Sequence, residues 1–342
     1  AGKAAIRRGE QRELLSALAA LARREQADIV LLAGDLLDSD NTYYETGEEL
    51  IRCLGQIPAP VFISPGNHDY YSAKSPYARL KLPENVHVFT RNAIEAVELP
   101  ALGARAYGAA FTEKRSGALL QGLRAEKQEG VWNLLCIHGE VGARDSAYNP
   151  ISTQDLADSG LDYVALGHIH KASGLQKAGD TWYAWPGCPE GRGFDELGDK
   201  GFLTGQVERG HAELRFVPFA RRRYCIVQAD VTDGDPLAAL ERTLPHDTES
   251  DIYRIRLTGT PEEPPRLSLL QEALAERFFA LQLRDETSVR REVWDRCGED
   301  TLRGLFLEEL RRRYDAAPDD DARRRIEQAA RFGAAAMDNR EV

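Results

Sequence analysis

The sequence predicts an α/β protein. Short runs of β-forming apolar residues recur through the first two-thirds of the chain, and stretches with helical spacing lie between them. A third observation adds chemistry to this pattern. Four of the strands stop at a glycine, a turn or a histidine and deliver Asp, Asn or His directly afterwards.

The first element is an amphipathic helix over about residues 10–26, where Leu14, Leu15, Leu18, Leu21 and Ala22 recur at helical spacing. A strand over 29–33 follows, halts at Gly34 and delivers Asp35 and Asp38. A helical stretch around 46–54 leads to a strand over 61–64, then Pro65-Gly66 and Asn67, His68 and Asp69. The strand over 134–137 ends on His138. After a helix around 153–159, the strand over 163–166 meets Gly167 and releases His168 and His170.

Ligands of open α/β sheets bind beyond the carboxyl ends of the strands, and these residues lie at such ends. Gly34, Gly66 and Gly167 let the backbone turn sharply and come close to a ligand. Asp69 reads equally well as a cap for the following segment or as support near His68. His87, His211 and His246 lack the glycine-strand setting and are expected to be structural or exposed.

A chain of 342 residues supports a large core and a smaller second unit. The net charge of −11, from 44 basic and 55 acidic residues, argues against gripping nucleic acid by overall charge, while leaving room for a local basic patch. No run approaches the roughly 18 apolar residues of a membrane span. Cys53, Cys136, Cys188, Cys225 and Cys297 are scattered and lack metal-type spacing, which points to reduced thiols and a cytoplasmic protein.

Mixed His, Asp and Asn donors without cysteine suit Mn²⁺, Fe or Zn²⁺ and disfavour a closed structural zinc site. Such a ring can hold two ions about 3.5–4 Å apart, which generate hydroxide at neutral pH and clamp the oxygens of an in-line displacement at phosphorus. His68 can stay off the metal to protonate a leaving oxygen, provided a carboxylate orients its ring.

Taken together, "GDLLD", "GNHD", a lone strand-end His and "GHIH" resemble the calcineurin-like metallophosphoesterases. The run "WPGCPEGRGFDELGDKG" (185–201) is similar to the SbcD-type DNA exonucleases, in their YhaO-like branch. The likeness is clear over about residues 10–220. It implies a four-layer sandwich of two mixed β-sheets flanked by helices, with two divalent ions, Mn²⁺ before Fe or Zn²⁺, at one edge. Asp35 would bridge the ions; Asn67, His138 and His168 would complete one site and His170 would serve the other. His68, paired with Asp38, would be catalytic, and Arg192 would contact a substrate phosphate or form a salt bridge. The implied activity is a metal-dependent phosphodiesterase acting on DNA ends. A nucleotide or small-molecule phosphodiesterase and a non-catalytic binding subunit stand as alternatives.

One departure bears on that reading. The family opens with a strand ending in Asp-x-His, which serves the same ion as His170, yet residues 1–27 contain neither Asp nor His. The chain therefore reads as a fragment lacking its first strand; a one-metal site and ligands supplied from elsewhere are the alternatives. These residues alone are expected to have one impaired metal site and little or no hydrolytic activity.

Beyond a metallophosphoesterase domain at 1–219, the pattern predicts a small α/β domain at 220–286, with strands over 224–231 and 251–259 and helices over 236–244 and 267–275, and the resemblance implies that it is a capping domain. Arg221, Arg222 and Arg223 enter it as a DNA path or a solvated charge run. A helical segment at 287–342 closes the chain, with Leu302, Leu305, Phe306 and Leu310 on one stripe. The resemblance implies docking of this segment on an SbcC-like P-loop ATPase with coiled coils, and a homodimer; the chain has no Walker motif of its own.

Overall fold

The computed structural model describes residues 2–37, 44–288, 294 and 296–337. The chain divides into two compact units, Ala1–Gly191 with Asp199–Ala220, and Arg192–Gly198 with Arg221–Val342.

In the first unit a parallel three-stranded sheet runs β1 (Val30–Leu32), β2 (Val61–Ile63) and β3 (Val86–Val88) side by side. A mixed six-stranded sheet has the order β10 (Gln176–Ala178), β11 (Thr181–Ala184), β9 (Tyr163–Gly167), β6 (Trp132–His138), β5 (Ala104–Gly108) and β4 (Glu95–Leu99). Its four inner strands are parallel, and the edge strands β4 and β10 run against them.

Alternation along β2 shows how the layers form, because successive strand residues face opposite sides of a sheet. Val61 and Ile63 pack outward with Leu18, Ala19 and Ala22 of α1 (Lys3–Arg24) and Leu50 and Leu54 of α2 (Tyr44–Leu54). Phe62 points inward to Phe89 and Ala106, with Leu31, Val97 and Leu99 around them, and joins the two sheets. On the far side, Leu156 of α4 (Thr153–Asp158) packs with Leu135, Ile137, Val164 and Leu166. The order is helix, sheet, sheet, helix. Ser64 adds a polar tie between the sheets by donating its hydroxyl to the Cys136 carbonyl at 2.5 Å.

Helix α1 begins at Lys3, well before the apolar periodicity starts. Its first turns carry good helix formers without a stripe, and Arg7 anchors them by pairing with Glu10 and Glu190 and donating to the Gly191 carbonyl at 2.9 Å. Polar contacts hold what hydrophobic spacing could not announce. The short strands β7 (Glu140–Val141) and β8 (Pro150–Ile151) form a separate parallel pair.

The second unit contains a parallel sheet of β14 (Tyr224–Asp230), β15 (Ile252–Thr258) and β16 (Ala280–Asp285). Helices α5 (Pro236–Thr243) and α6 (Leu267–Ala273) bury Leu240 and Leu270 with Ile255 and Leu257. Two further helices, α7 (Leu302–Asp315) and α8 (Asp320–Met337), pack together through Leu307 and Ala330. Here the expected stripe is corrected: Leu302 and Leu305 are 77% and 58% exposed. The Phe306 ring lies so close to Gly333 that a Cβ there would clash with it at 2.2 Å, and this contact turns the Phe306–Leu307–Leu310 side inward. Among the described residues no helix is long and apolar enough to cross a membrane.

Candidate metal centre

The carboxyl ends of β1 and β2 on one sheet and β6 and β9 on the other bring Asp35, Asn67, His138 and His168 together. His138 Nε2 lies 2.9 Å from Asn67 Oδ1 and 3.3 Å from Asp35 Oδ2. His168 Nδ1 lies 3.1 Å from the same Asn67 oxygen. One donor atom each from Asp35, His138 and His168 falls within 4.8 Å of the others. This oxygen-and-imidazole set, free of thiolate, fits Mn²⁺, Fe or Zn²⁺.

The rings are held from behind. His138 Nδ1 lies 2.8 Å from the Ala33 carbonyl, to which it donates, so a neutral ring keeps its Nε2 lone pair for the centre. The Phe111 ring meets His138 edge-on at 5.4 Å, and the Tyr148 ring lies 4.8 Å from that of His168. Trp185 donates its indole N–H to the Gly167 carbonyl at 3.0 Å and the Gly139 carbonyl at 3.2 Å, tying the ends of β6 and β9.

The backbone is strained where the candidate ligands leave it. Asp35 has φ of +53° and His168 of +87°, a region side-chain-bearing residues rarely adopt, at a cost of about 1–3 kcal/mol each. Glycine makes the crowding tolerable. A Cβ on Gly66 would come 2.4 Å from Asp35 Oδ1, and one on Gly34 would come 2.8 Å from His138 Nδ1.

Asp69 organises the site from within the core, which spacing alone could not show. Its fully buried carboxylate accepts from the backbone N–H of Asp35 at 3.0 Å, Leu36 at 2.9 Å and Gly66 at 2.7 Å, and from the Tyr77 hydroxyl at 2.6 Å. It therefore welds the loop after β1 to the loop after β2. Burial pushes the Asp69 carboxyl up against these donors. Burial also works to raise Asp35, but its neighbour His138 and the backbone N–H of His68 outweigh it and hold Asp35 below the ordinary range. Burial, helped by His138, keeps the His168 imidazole below its usual value and so favours the neutral form a ligand needs.

The other expected site residues are placed differently. His68 is exposed beside the centre, with its backbone N–H donating to Asp35 Oδ1 at 2.9 Å. Asp38, its expected partner, lies outside the described residues. His170 is exposed and is not among the donors clustered with Asp35; its carbonyl accepts from Lys200 Nζ at 2.8 Å. Arg192 belongs to the second unit, where its backbone N–H donates to Glu196 at 2.7 Å. Sequence reasoning missed Tyr77, Glu140, Tyr148 and Trp185. For Glu140 the signal was present, two residues beyond His138 in "HGE".

Residues 7–172 match the calcineurin-like phosphoesterase family. The chain is 30% identical over 295 residues to a Bacillus subtilis (strain 168) protein described as an uncharacterized metallophosphoesterase YhaO, an alignment spanning 78% of this chain and 71% of that protein. Among solved structures, TT1561 of Thermus thermophilus matches 60% of this chain and 92% of its own, with 14% identity and a TM-score of 0.39, a likeness too distant to assign anything. With four strand-end donors gathered at one edge of its sandwich, and the match in sequence that accompanies them, the chain belongs to the calcineurin-like metallophosphoesterase family.

Proposed function

We propose that this chain is the nuclease subunit of a DNA-end-processing system, hydrolysing phosphodiesters with Mn²⁺. The observation that carries the reading is the convergence of Asp35, Asn67, His138 and His168 on one small volume. A divalent ion held there would lower the pKa of water and neutralise charge on phosphoryl oxygens. Asp35 and Asn67 supply oxygen donors, and His138 supplies Nε2 because Ala33 takes its other nitrogen. Exposed beside Asp35, His68 is free to hold a proton for the departing sugar oxygen. Asp69 keeps Asp35 and Gly66 in register without touching substrate. The likeness of 185–201 to SbcD-type exonucleases supports DNA as substrate. On the same ground 220–286 is proposed as a capping module and 287–342 as the region that docks an ATPase partner.

A second reading is a non-catalytic binding subunit. Mn²⁺-dependent assays on end-labelled duplex DNA and on a chromogenic phosphodiester separate the two. Release of nucleotides from DNA ends by the chain supplied with an Asp-x-His segment, abolished by His138→Ala, is the expected result, with little or none from these residues alone. Cleavage of the small ester alone would reject DNA as substrate, and inactivity of the full-length protein on both would favour the binding subunit.

A further inference from the structure

We propose that Glu140 is a positioning residue, which accepts the Nε2 proton of His168 and thereby turns the lone pair of Nδ1 toward the ion. The proposal rests on the reading of the Asp35 group as a metal centre. Glu140 Oε1 lies 2.8 Å from His168 Nε2, while the opposite ring nitrogen faces Asn67 Oδ1 at 3.1 Å. A carboxylate can only accept, so Nε2 carries the proton.

The choice of tautomer is not neutral here. A His168 protonated on Nδ1 could donate to Asn67 Oδ1, and that hydrogen bond would place a proton where a cation has to enter. Some group must favour the other tautomer. A charged acceptor outbids a neutral amide oxygen, since charge-assisted hydrogen bonds are about twice as strong. Glu140 is also firmly placed: it lies on β7, pairs with Pro150 of β8, and its N–H donates to the Asn149 carbonyl at 3.2 Å. Carboxylates behind metal-bound histidines typically change metal affinity by about 10–100-fold.

Two readouts on the full 342-residue chain test this. In nitrogen-15 spectra of the metal-free protein, His168 should be the Nε2–H tautomer, and Glu140→Ala should shift it toward Nδ1–H. By titration calorimetry, Glu140→Ala should bind Mn²⁺ about 10–100-fold more weakly, and Glu140→Gln, whose amide oxygen still accepts, should recover most of that loss. Unchanged tautomer and affinity in both variants would overturn the proposal, as would an Nδ1–H tautomer in the wild type. A wild-type chain that takes up no Mn²⁺ would instead overturn the metal-centre reading, while the metal-free spectra still decide the role of Glu140.

Discussion

Gly167 and Ala33 approach so closely that a Cβ on the glycine would lie 1.8 Å from the alanine carbonyl oxygen. That oxygen is the one that receives His138 Nδ1 at 2.8 Å. The bare glycine is thus what lets the end of β1 reach the back of a histidine on the other sheet. Gly167→Ala must force the strand ends apart, at a cost of about 1–3 kcal/mol for overpacking. A lower denaturant midpoint and at least tenfold weaker Mn²⁺ binding are expected. Wild-type affinity in this variant would show the close approach to be dispensable.

Asp69 gathers four donors inside the core. Asp69→Ala would leave three backbone N–H groups and the Tyr77 hydroxyl facing a cavity. Destabilisation of about 3 kcal/mol or more is expected, because buried donors left without partners each lose their compensation. Tyr77→Phe removes a single donor, and chemical denaturation should place it about 1 kcal/mol below the wild type. Equal losses for the two variants would deny Asp69 its organising role.

The Asp35 group is a candidate site for one ion, and His170 is not among its clustered donors. Elemental analysis of this polypeptide after dialysis should find one tightly held divalent ion per chain. His138→Ala should remove it and His170→Ala should leave it in place. Two tightly held ions in the wild type would refute this.

Buried thiols give a pH-dependent prediction. Burial raises Cys136 to about 12, and burial with the neighbouring Glu49 raises Cys53 to about 11, from an ordinary value of 9.0. Because the thiolate is the reactive form, both should resist alkylation in the folded chain at pH 8, while the less buried Cys188, Cys225 and Cys297 react first. Folding holds these two thiols neutral. Their contribution to stability is therefore complete below about pH 9 and declines as pH rises toward their folded values. Peptide mapping after a short iodoacetamide pulse would reveal early labelling of Cys53 or Cys136 if this is wrong.

The strand ends were legible in the sequence because each announces itself locally. An apolar run, a glycine and then a polar residue suffices at Gly34–Asp35, Gly66–Asn67 and Gly167–His168. Residues that act across the fold left weaker traces. Asp69 could be read as a mere cap, since its donors at Asp35 and Leu36 come from a loop more than thirty residues away. The early start of α1 depends on Glu190, at the other end of the unit, and no helical period encodes that. The facing of α7 was misread because Leu302 and Leu305 fit a stripe as well as Leu307 does; only the contact of Phe306 with Gly333 decides between them.

Each sheet of the sandwich contributes two of the four donors, Asp35 and Asn67 from one and His138 and His168 from the other. Neither half of the sandwich could grip an ion tightly by itself. Affinity for an ion held between them would therefore gauge how accurately the two leaves are spaced. A substitution that slides one leaf against the other, even among the apolar side chains at Phe62 and Phe89, should register first as a looser hold on the metal.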